Sequence, residues 1–247
     1  MSKIKNRNIK TLMIFAAGKG SRMKHLTHNT HKSLLTIGNI SIISRVLNFV
    51  IKYDHFESIV INTHYMHELV LDEINKFIKY NTKNLPKINV IYESEILETG
   101  GAIKNAYKYF DNNEAIFTLN SDSFLESYNN PFQTMEQMWQ PDRMDFLLML
   151  QSKNEVIGQF ASDFDMNGQG KVIYEKTHNL KPYTYTGLQI MKPLLAYEYP
   201  AQHFKIMEII KNSRVYGIKN KGIFYHANTP EHLEEIAQYL VKADTAS

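Results

Sequence analysis

Residues 16–23 read Ala16-Ala17-Gly18-Lys19-Gly20-Ser21-Arg22-Met23, two glycines and two cations set directly after an apolar run. Glycines let the backbone come close to a bound group, so its N–H groups can meet phosphate oxygens while nearby cations offset the charge. The spacing fits neither common nucleotide loop. A dinucleotide fingerprint needs a third glycine where Met23 stands, and a Walker loop needs Gly-Lys-Ser/Thr after four intervening residues. Taken alone, the stretch reads equally well as a structural turn. Two other clusters invite a metal reading. Asp163, Asp165, Asn167 and Gly168 begin like an EF-hand loop, but its twelfth position is Tyr174 and Glu175 falls one residue late. Bidentate closure fails, and a polar hairpin turn at Asn167-Gly168 is expected instead. His25, His28 and His31 recur every third residue in a loop without a partner cysteine, a poor start for a zinc site.

A phosphate loop must be aimed by the elements around it. Residues 12–17 form a short apolar run ending in glycine, as a buried parallel strand would. Residues 40–53 place Ile43, Val46, Leu47, Val50 and Ile51 at helical spacing, with Ser41 as N-cap. Strand-like residues 58–62 lead to a second helix over 69–78, with Leu69, Ile74, Phe77 and Ile78 as its apolar positions. Strand over 88–92, helix over 102–110 and strand over 115–119 complete a βαβ rhythm, which predicts a mostly parallel sheet covered on both faces. The rhythm then changes. A short helix over 132–139 and a strand over 145–151 are followed by antiparallel strands over 158–161, 171–175 and 183–191. Helices are predicted over 203–211 and 230–241, the last with Thr229 as N-cap and Pro230 at its first position. The expected division is a flexible N-terminus over 1–10 and one domain over 11–247, with one half running to residue 125 and a second half beyond it that carries an antiparallel insertion for substrate.

The glycine loop gains meaning from the segments after it. Residues 16–23, then Leu26-Thr27 and Lys32-Ser33-Leu34-Leu35, resemble the signature of the sugar nucleotidyltransferase family. Later segments resemble it in the same order: Leu97-Glu98-Thr99-Gly100-Gly101-Ala102-Ile103, Leu119-Asn120-Ser121-Asp122, Glu175-Lys176, Tyr185-Thr186-Gly187, and a closing Phe224-Tyr225-His226-Ala227-Asn228-Thr229-Pro230-Glu231. Residues 97–101 look most like the branch containing N-acetylmuramate-1-phosphate uridylyltransferase and mannose-1-phosphate guanylyltransferase. The resemblance implies a Rossmann-like α/β fold with an antiparallel sugar-binding insertion. It also implies a reaction in which a nucleoside triphosphate and a sugar 1-phosphate give a nucleotide sugar and pyrophosphate. Both reactants are polyanions, so positioned cations and a metal would do the work. By resemblance, Ala17, Gly18 and Gly20 hold the nucleotide, Arg22 clamps the triphosphate, and Lys32 bridges the reacting phosphates. Asp122, at a strand end, would hold Mg²⁺, or Mn²⁺, against them. Gly100 and Gly101 would approach the base or ribose by backbone, with Glu93 lining the same pocket. Glu175 and Lys176 would bind sugar hydroxyls and sugar phosphate, with Thr186 and Gly187 beside them.

Four positions depart from the family pattern. Thr177 stands for proline after the Glu-Lys pair, and His31 for proline before Lys32, which implies a less rigid Lys32 loop. His226 replaces the usual second metal-binding aspartate and Asn228 a glycine. A neutral imidazole suits hard Mg²⁺ poorly and Mn²⁺ better, so the metal role of His226 is the weakest of the set. The rival readings are a cytidylyltransferase acting on phosphocholine and a non-catalytic nucleotide-binding subunit with a degraded metal site.

Composition narrows the class. The chain has 247 residues, 43% hydrophobic and 21% charged, ordinary for a globular protein. A net charge of +3, from 28 basic and 25 acidic residues, does not argue for nucleic acid. Without cysteines there can be no disulfide or thiolate site, which fits a reducing compartment. The apolar run near the N-terminus stops at Gly18-Lys19-Gly20 with no cleavage site, and no stretch approaches the ~20 residues of a membrane span. A cytoplasmic protein is expected.

Overall fold

The computed structural model describes residues 9–81, 84–111, 114–158, 163–174 and 182–246. Its first half follows the predicted alternation: β1 (Thr11–Ala16), the small pair β2 (Thr36–Ile37) and β3 (Ile40–Ser41), α1 (Ile42–Ile51), β4 (Ser58–Thr63), α2 (His67–Tyr80), β5 (Lys87–Tyr92), α3 (Glu98–Ala106) and β6 (Ile116–Asn120). The second half adds β7 (Ser123–Ser127), α4 (Pro131–Met138), β8 (Phe146–Ser152), β9 (Val156–Ile157), β10 (Asp165–Met166), β11 (Val172–Ile173) and β12 (Tyr183–Met191). It ends with α5 (Leu194–Tyr197), α6 (Ile206–Ile210), β13 (Val215–Lys219), β14 (Gly222–His226) and α7 (Pro230–Ala246).

Seven strands form one sheet in the order β13-β8-β12-β6-β1-β4-β5. Pairings β6–β1, β1–β4, β4–β5 and β8–β13 are parallel, while β12 runs antiparallel to both its neighbours. The second half therefore extends the sheet of the first. Alternation along β1 sends Leu12, Ile14 and Ala16 to one face and Met13 to the other. The first face is covered by α1, α2, α4 and α7, through residues such as Val46, Ile74, Phe132 and Ile236. The second is covered by α3, α5 and α6, through Ala102, Ile103, Ala196 and Ile210. A second small sheet, β7-β14-β9, lies in the second half. Among the described residues no helix is long and apolar enough to cross a membrane.

Local chemistry explains most boundaries. Ser41 Oγ accepts from Ser44 N at 3.2 Å and caps α1, and Thr229 Oγ1 accepts from His232 N at 3.3 Å at the start of α7. The Asn167 carboxamide accepts from Gln169 N and Lys171 N, which makes the stretch resembling a calcium loop the β10–β11 hairpin. Several expectations need correcting. On α2 the buried stripe is Val70, Ile74 and Phe77, while Leu69 and Ile78 flank it and are exposed. Helix α3 starts at Glu98, four residues before the expected start, because the segment around Phe204 accepts hydrogen bonds from its first turn. The strand expected over 158–161 is instead β9, ended by Gly158 at φ 99°, and residues 159–161 lie outside the described set. Helix α6 is shorter than expected, and β7, β13 and β14 went unpredicted. Order also reaches below residue 11: Ile9 is buried in the core and bonds through its N–H to the Glu136 carboxylate.

Candidate active site

The chain order reverses at β1: β4 and β5 lie on one side of it, and the chain then crosses to β6 on the other. In an open α/β sheet a crevice at the carboxyl ends of the strands forms at such a reversal. Here it is a cavity of about 320 Å³ whose lining includes Gly18, Gly20, Arg22, Lys32, Asn62 and Asp122. Ala17, Glu93 and Asn228 line it too, so the expected phosphate loop, both expected cations and the expected metal carboxylate meet in one place.

Lys32 and Asp122 are joined directly. The ammonium donates to Asp122 Oδ2 at 2.7 Å and to Asn228 Oδ1 at 2.8 Å. Lys32 is only 9% exposed. Burial by itself would raise the Asp122 pKa, but the Lys32 charge and the His226 imidazole outweigh it and hold the carboxyl well below the usual carboxylate range. His226 Nε2 lies 3.6 Å from Asp122 Oδ2, so the sequence-predicted pair does converge. Asp122 Oδ1 is buried with no hydrogen-bond partner. Arg22 reaches the same cavity from an exposed position on the short 3-10 helix Ser21–Thr27.

The backbone of the glycine loop is fixed by residues that no sequence motif singles out for the task. Gly20 has φ 65°, and a Cβ there would stand 2.6 Å from Lys32 Cβ. Left-handed backbone and close approach to Lys32 therefore both demand glycine. His31 is buried. It accepts from Ser33 N at Nδ1 (3.1 Å), and its Nε2–H donates to Gly18 O at 2.9 Å. Far from loosening the Lys32 loop, His31 ties it to the glycine loop. Burial, with the Lys32 charge adding to it, lowers the His31 pKa to about 4, although the bond to Gly18 works the other way.

At the opposite end of the cavity Asn62 links β1 to Glu93. Its Oδ1 accepts from Ala16 N at 3.1 Å and its Nδ2 donates to Glu93 Oε1 at 2.9 Å. Glu93 is buried, which raises its pKa against the opposing pull of that bond and of one from the Leu97 backbone. Gly100 and Gly101 behave differently from expectation. Their N–H groups donate to Phe204 O at 2.9 and 3.2 Å, capping α3 from another segment. A Cβ would meet the Phe204 ring at 2.1 Å from Gly100 and Gln202 O at 2.1 Å from Gly101. These glycines serve packing, and neither lines the cavity. Glu98 and Thr99 line it instead, Glu98 with the left-handed φ of 59°.

A smaller lobe of about 250 Å³ opens beside Asp122, bordered by Asp163, Tyr185, Thr186 and Phe224. Thr186 borders the lobe, and its hydroxyl donates to Met149 O at 3.0 Å. Gly187, at φ 82°, lies in the irregularity of β12 opposite β8, where a Cβ would meet the Asn120 side chain at 2.6 Å, and does not border the lobe. Glu175 and Lys176 lie outside the described residues. Sequence reasoning missed Asn62, and it read Asp163 only as part of a calcium-loop mimic rather than as a residue of the site. It marked Asn228 only as a departure, although that departure was the available signal.

A glycine loop after the first strand, an ion-paired lysine and a strand-end aspartate at the sheet's reversal point define an α/β nucleotide-handling site. The chain belongs to the nucleotidyl transferase family, whose model matches residues 11–181. It is 29% identical over 230 residues to the N-acetylmuramate alpha-1-phosphate uridylyltransferase of Caulobacter vibrioides, covering 90% of this chain and 93% of that protein. Over 56 residues, 23% of this chain and 24% of the other, it is 46% identical to a choline-phosphate cytidylyltransferase of Haemophilus influenzae. Its fold matches HddC from Yersinia pseudotuberculosis, solved with GMP-PN, at a TM-score of 0.75 and 20% identity, covering 94% of this chain and 100% of that one.

Proposed function

We propose that this chain transfers a nucleotidyl group from a nucleoside triphosphate to a sugar 1-phosphate. The observation that supports the reading most is the Lys32–Asp122–Asn228 cluster set against the glycine loop. An oxygen of the sugar phosphate attacks the α-phosphorus in line. The new P–O bond forms as the bond to the β-phosphate oxygen breaks, and pyrophosphate leaves. The attacking oxygen is already ionised near neutrality, since a phosphate monoester has a second pKa of about 6. The site therefore needs no general base. It must hold two polyanions together and spread the charge of the transition state. Arg22 steadies the leaving pyrophosphate. Lys32 directs its ammonium at the reacting phosphates, and backbone N–H groups of the glycine loop receive phosphate oxygens. The base lies toward Asn62 and Glu93, and the sugar in the lobe beside Asp163 and Tyr185.

The residues present fit a divalent cation, because Asp122 Oδ1 is a buried carboxylate oxygen without a partner. Asp122 would hold the ion, with His226 beside it. Bound there, Mg²⁺ or Mn²⁺ supplies charge neutralisation on triphosphate oxygens. The Haemophilus match favours a second reading, with an alcohol phosphate such as phosphocholine as acceptor. One panel separates the readings: pyrophosphate release from each triphosphate with sugar 1-phosphates, phosphocholine or no acceptor, with and without EDTA. Release only with a sugar 1-phosphate, and none in EDTA, is expected. Release only with phosphocholine selects the second reading, and nucleotide binding without release under any pairing leaves a non-catalytic subunit.

A further inference from the structure

We propose that Asn228 is a positioning residue for Lys32, a role that rests on the nucleotidyl-transfer reading. An ammonium has three N–H donors and sits on a flexible four-carbon stem with many rotamers. Held by Asp122 alone, the head group would turn about that one contact. A second acceptor, Asn228 Oδ1 at 2.8 Å, fixes its direction and leaves the third N–H to face the phosphate cavity.

Asn228 is itself well anchored. Just before it, β14 pairs with β7 as His226 against Ser123, and Ala227 N donates to Asp122 O at 2.9 Å. Just after it, Thr229 caps α7. Both partners are buried, Lys32 and Asn228 each 9% exposed. The residue type also matters. Glycine, which the family pattern would put here, has no side chain to accept the bond. Aspartate would give the ammonium a second counter-charge and draw it away from the phosphates. A carboxamide orients the lysine without adding charge.

The test compares wild type with Asn228→Ala, Asn228→Asp, Lys32→Gln and the Asn228→Ala/Lys32→Gln double variant. Turnover is read as pyrophosphate release, and Lys32 reactivity as labelling by acetic anhydride, located by mass spectrometry. Asn228→Ala is expected to lower kcat about tenfold, less than the ~10²-fold loss of a donor that touches the transition state. KM for the triphosphate should stay within about threefold, as expected when the loss falls on the transition state. In the Lys32→Gln background the same change should do almost nothing, because Asn228 acts through Lys32. Labelling of Lys32 should rise about fivefold, the equivalent of losing one hydrogen bond of about 1 kcal/mol. Asn228→Asp keeps the shape should the alanine variant fail to fold, and it too should be slower than wild type.

Losses that multiply in the double variant would place Asn228 on the substrate and overturn the proposal, as would Asn228→Ala or Asn228→Asp turning over like wild type. Labelling needs no activity, so the outcomes remain distinct. A wild type that releases no pyrophosphate defeats the functional reading, while unchanged Lys32 labelling in Asn228→Ala defeats this one.

Discussion

Arg22 and Lys32 carry the same charge but stand in different surroundings, and that difference has measurable consequences. Arg22 is exposed, whereas Lys32 is buried and paired at 2.7 Å with Asp122. Either alanine substitution should lower kcat by about 10²-fold, as losing a preorganised cation does. Stability should separate them. Arg22→Ala should melt like wild type. Lys32→Ala leaves the Asp122 carboxylate without its counter-charge and should lose about 2 kcal/mol or more. Denaturant unfolding of the two variants checks this, and equal stabilities would mean that the ion pair contributes nothing. His226 allows a second test beside the same carboxylate. His226→Asp sets two like charges together where an imidazole now lies 3.6 Å from Asp122. That variant should melt below wild type in EDTA and gain more from Mg²⁺, because a hard cation relieves carboxylate repulsion. Equal Mg²⁺ shifts in both proteins would remove position 226 from the metal site.

At the scale of elements, the two site loops are joined by His31, and the joint depends on its protonation. Its Nε2–H faces Gly18 O, which can only accept, while Nδ1 meets Ser33 N and Ser33 Oγ; burial, with the Lys32 charge adding to it, disfavours a second proton on the ring. The folded pKa is about 4 and the ordinary value 6.5. Between those values the unfolded chain binds the proton more readily. The contribution is therefore complete above pH 6.5 and is lost as pH falls toward 4, by roughly 3 kcal/mol in all. His31→Gln should flatten that part of the stability–pH curve by about this amount, and an unchanged slope would show that His31 does not carry the acid sensitivity. The same joint shows where the sequence was legible. Periodic elements such as β1 and α1, with its Ser41 cap, could be read because their signals are local. Motif order singled out Gly18, Arg22, Lys32 and Asp122, and these four do share one cavity. What escaped depended on distant partners. Gly100 and Gly101 resemble a ligand-binding turn, but Phe204 and Gln202, some hundred residues away, determine their role. Strand β14 and the Lys32–Asn228 bond likewise exist only once the chain has folded back on itself.

The whole molecule is more unified than a division at residue 125 suggests. β6 ends the first half, and β12 from the second pairs along its edge as Gln189 with Thr118, Ile190 with Phe117 and Met191 with Ile116. Cut there, the first half would expose one edge of an apolar sheet and lose the cover that Phe132, Met135 and Ile236 give to the face it shares with Leu12 and Ile14. The site is divided in the same way: Gly18, Lys32 and Asp122 come from the first half, Asn228 from the second. The two halves should therefore unfold as one unit. Trp139, the single tryptophan of the chain and 4% exposed, reports on the second half. Far-UV circular dichroism reports on every helix. In urea the two signals should trace one coincident transition, as two-state unfolding requires. A triphosphate with Mg²⁺ should move both midpoints together by mass action. A tryptophan transition that comes first, leaving an intermediate that still binds nucleotide, would show that residues 11–125 stand alone as a nucleotide-binding domain. Residues 1–125 expressed by themselves give the same answer independently: if the shared sheet is what holds the site together, that fragment should neither fold cooperatively nor bind triphosphate.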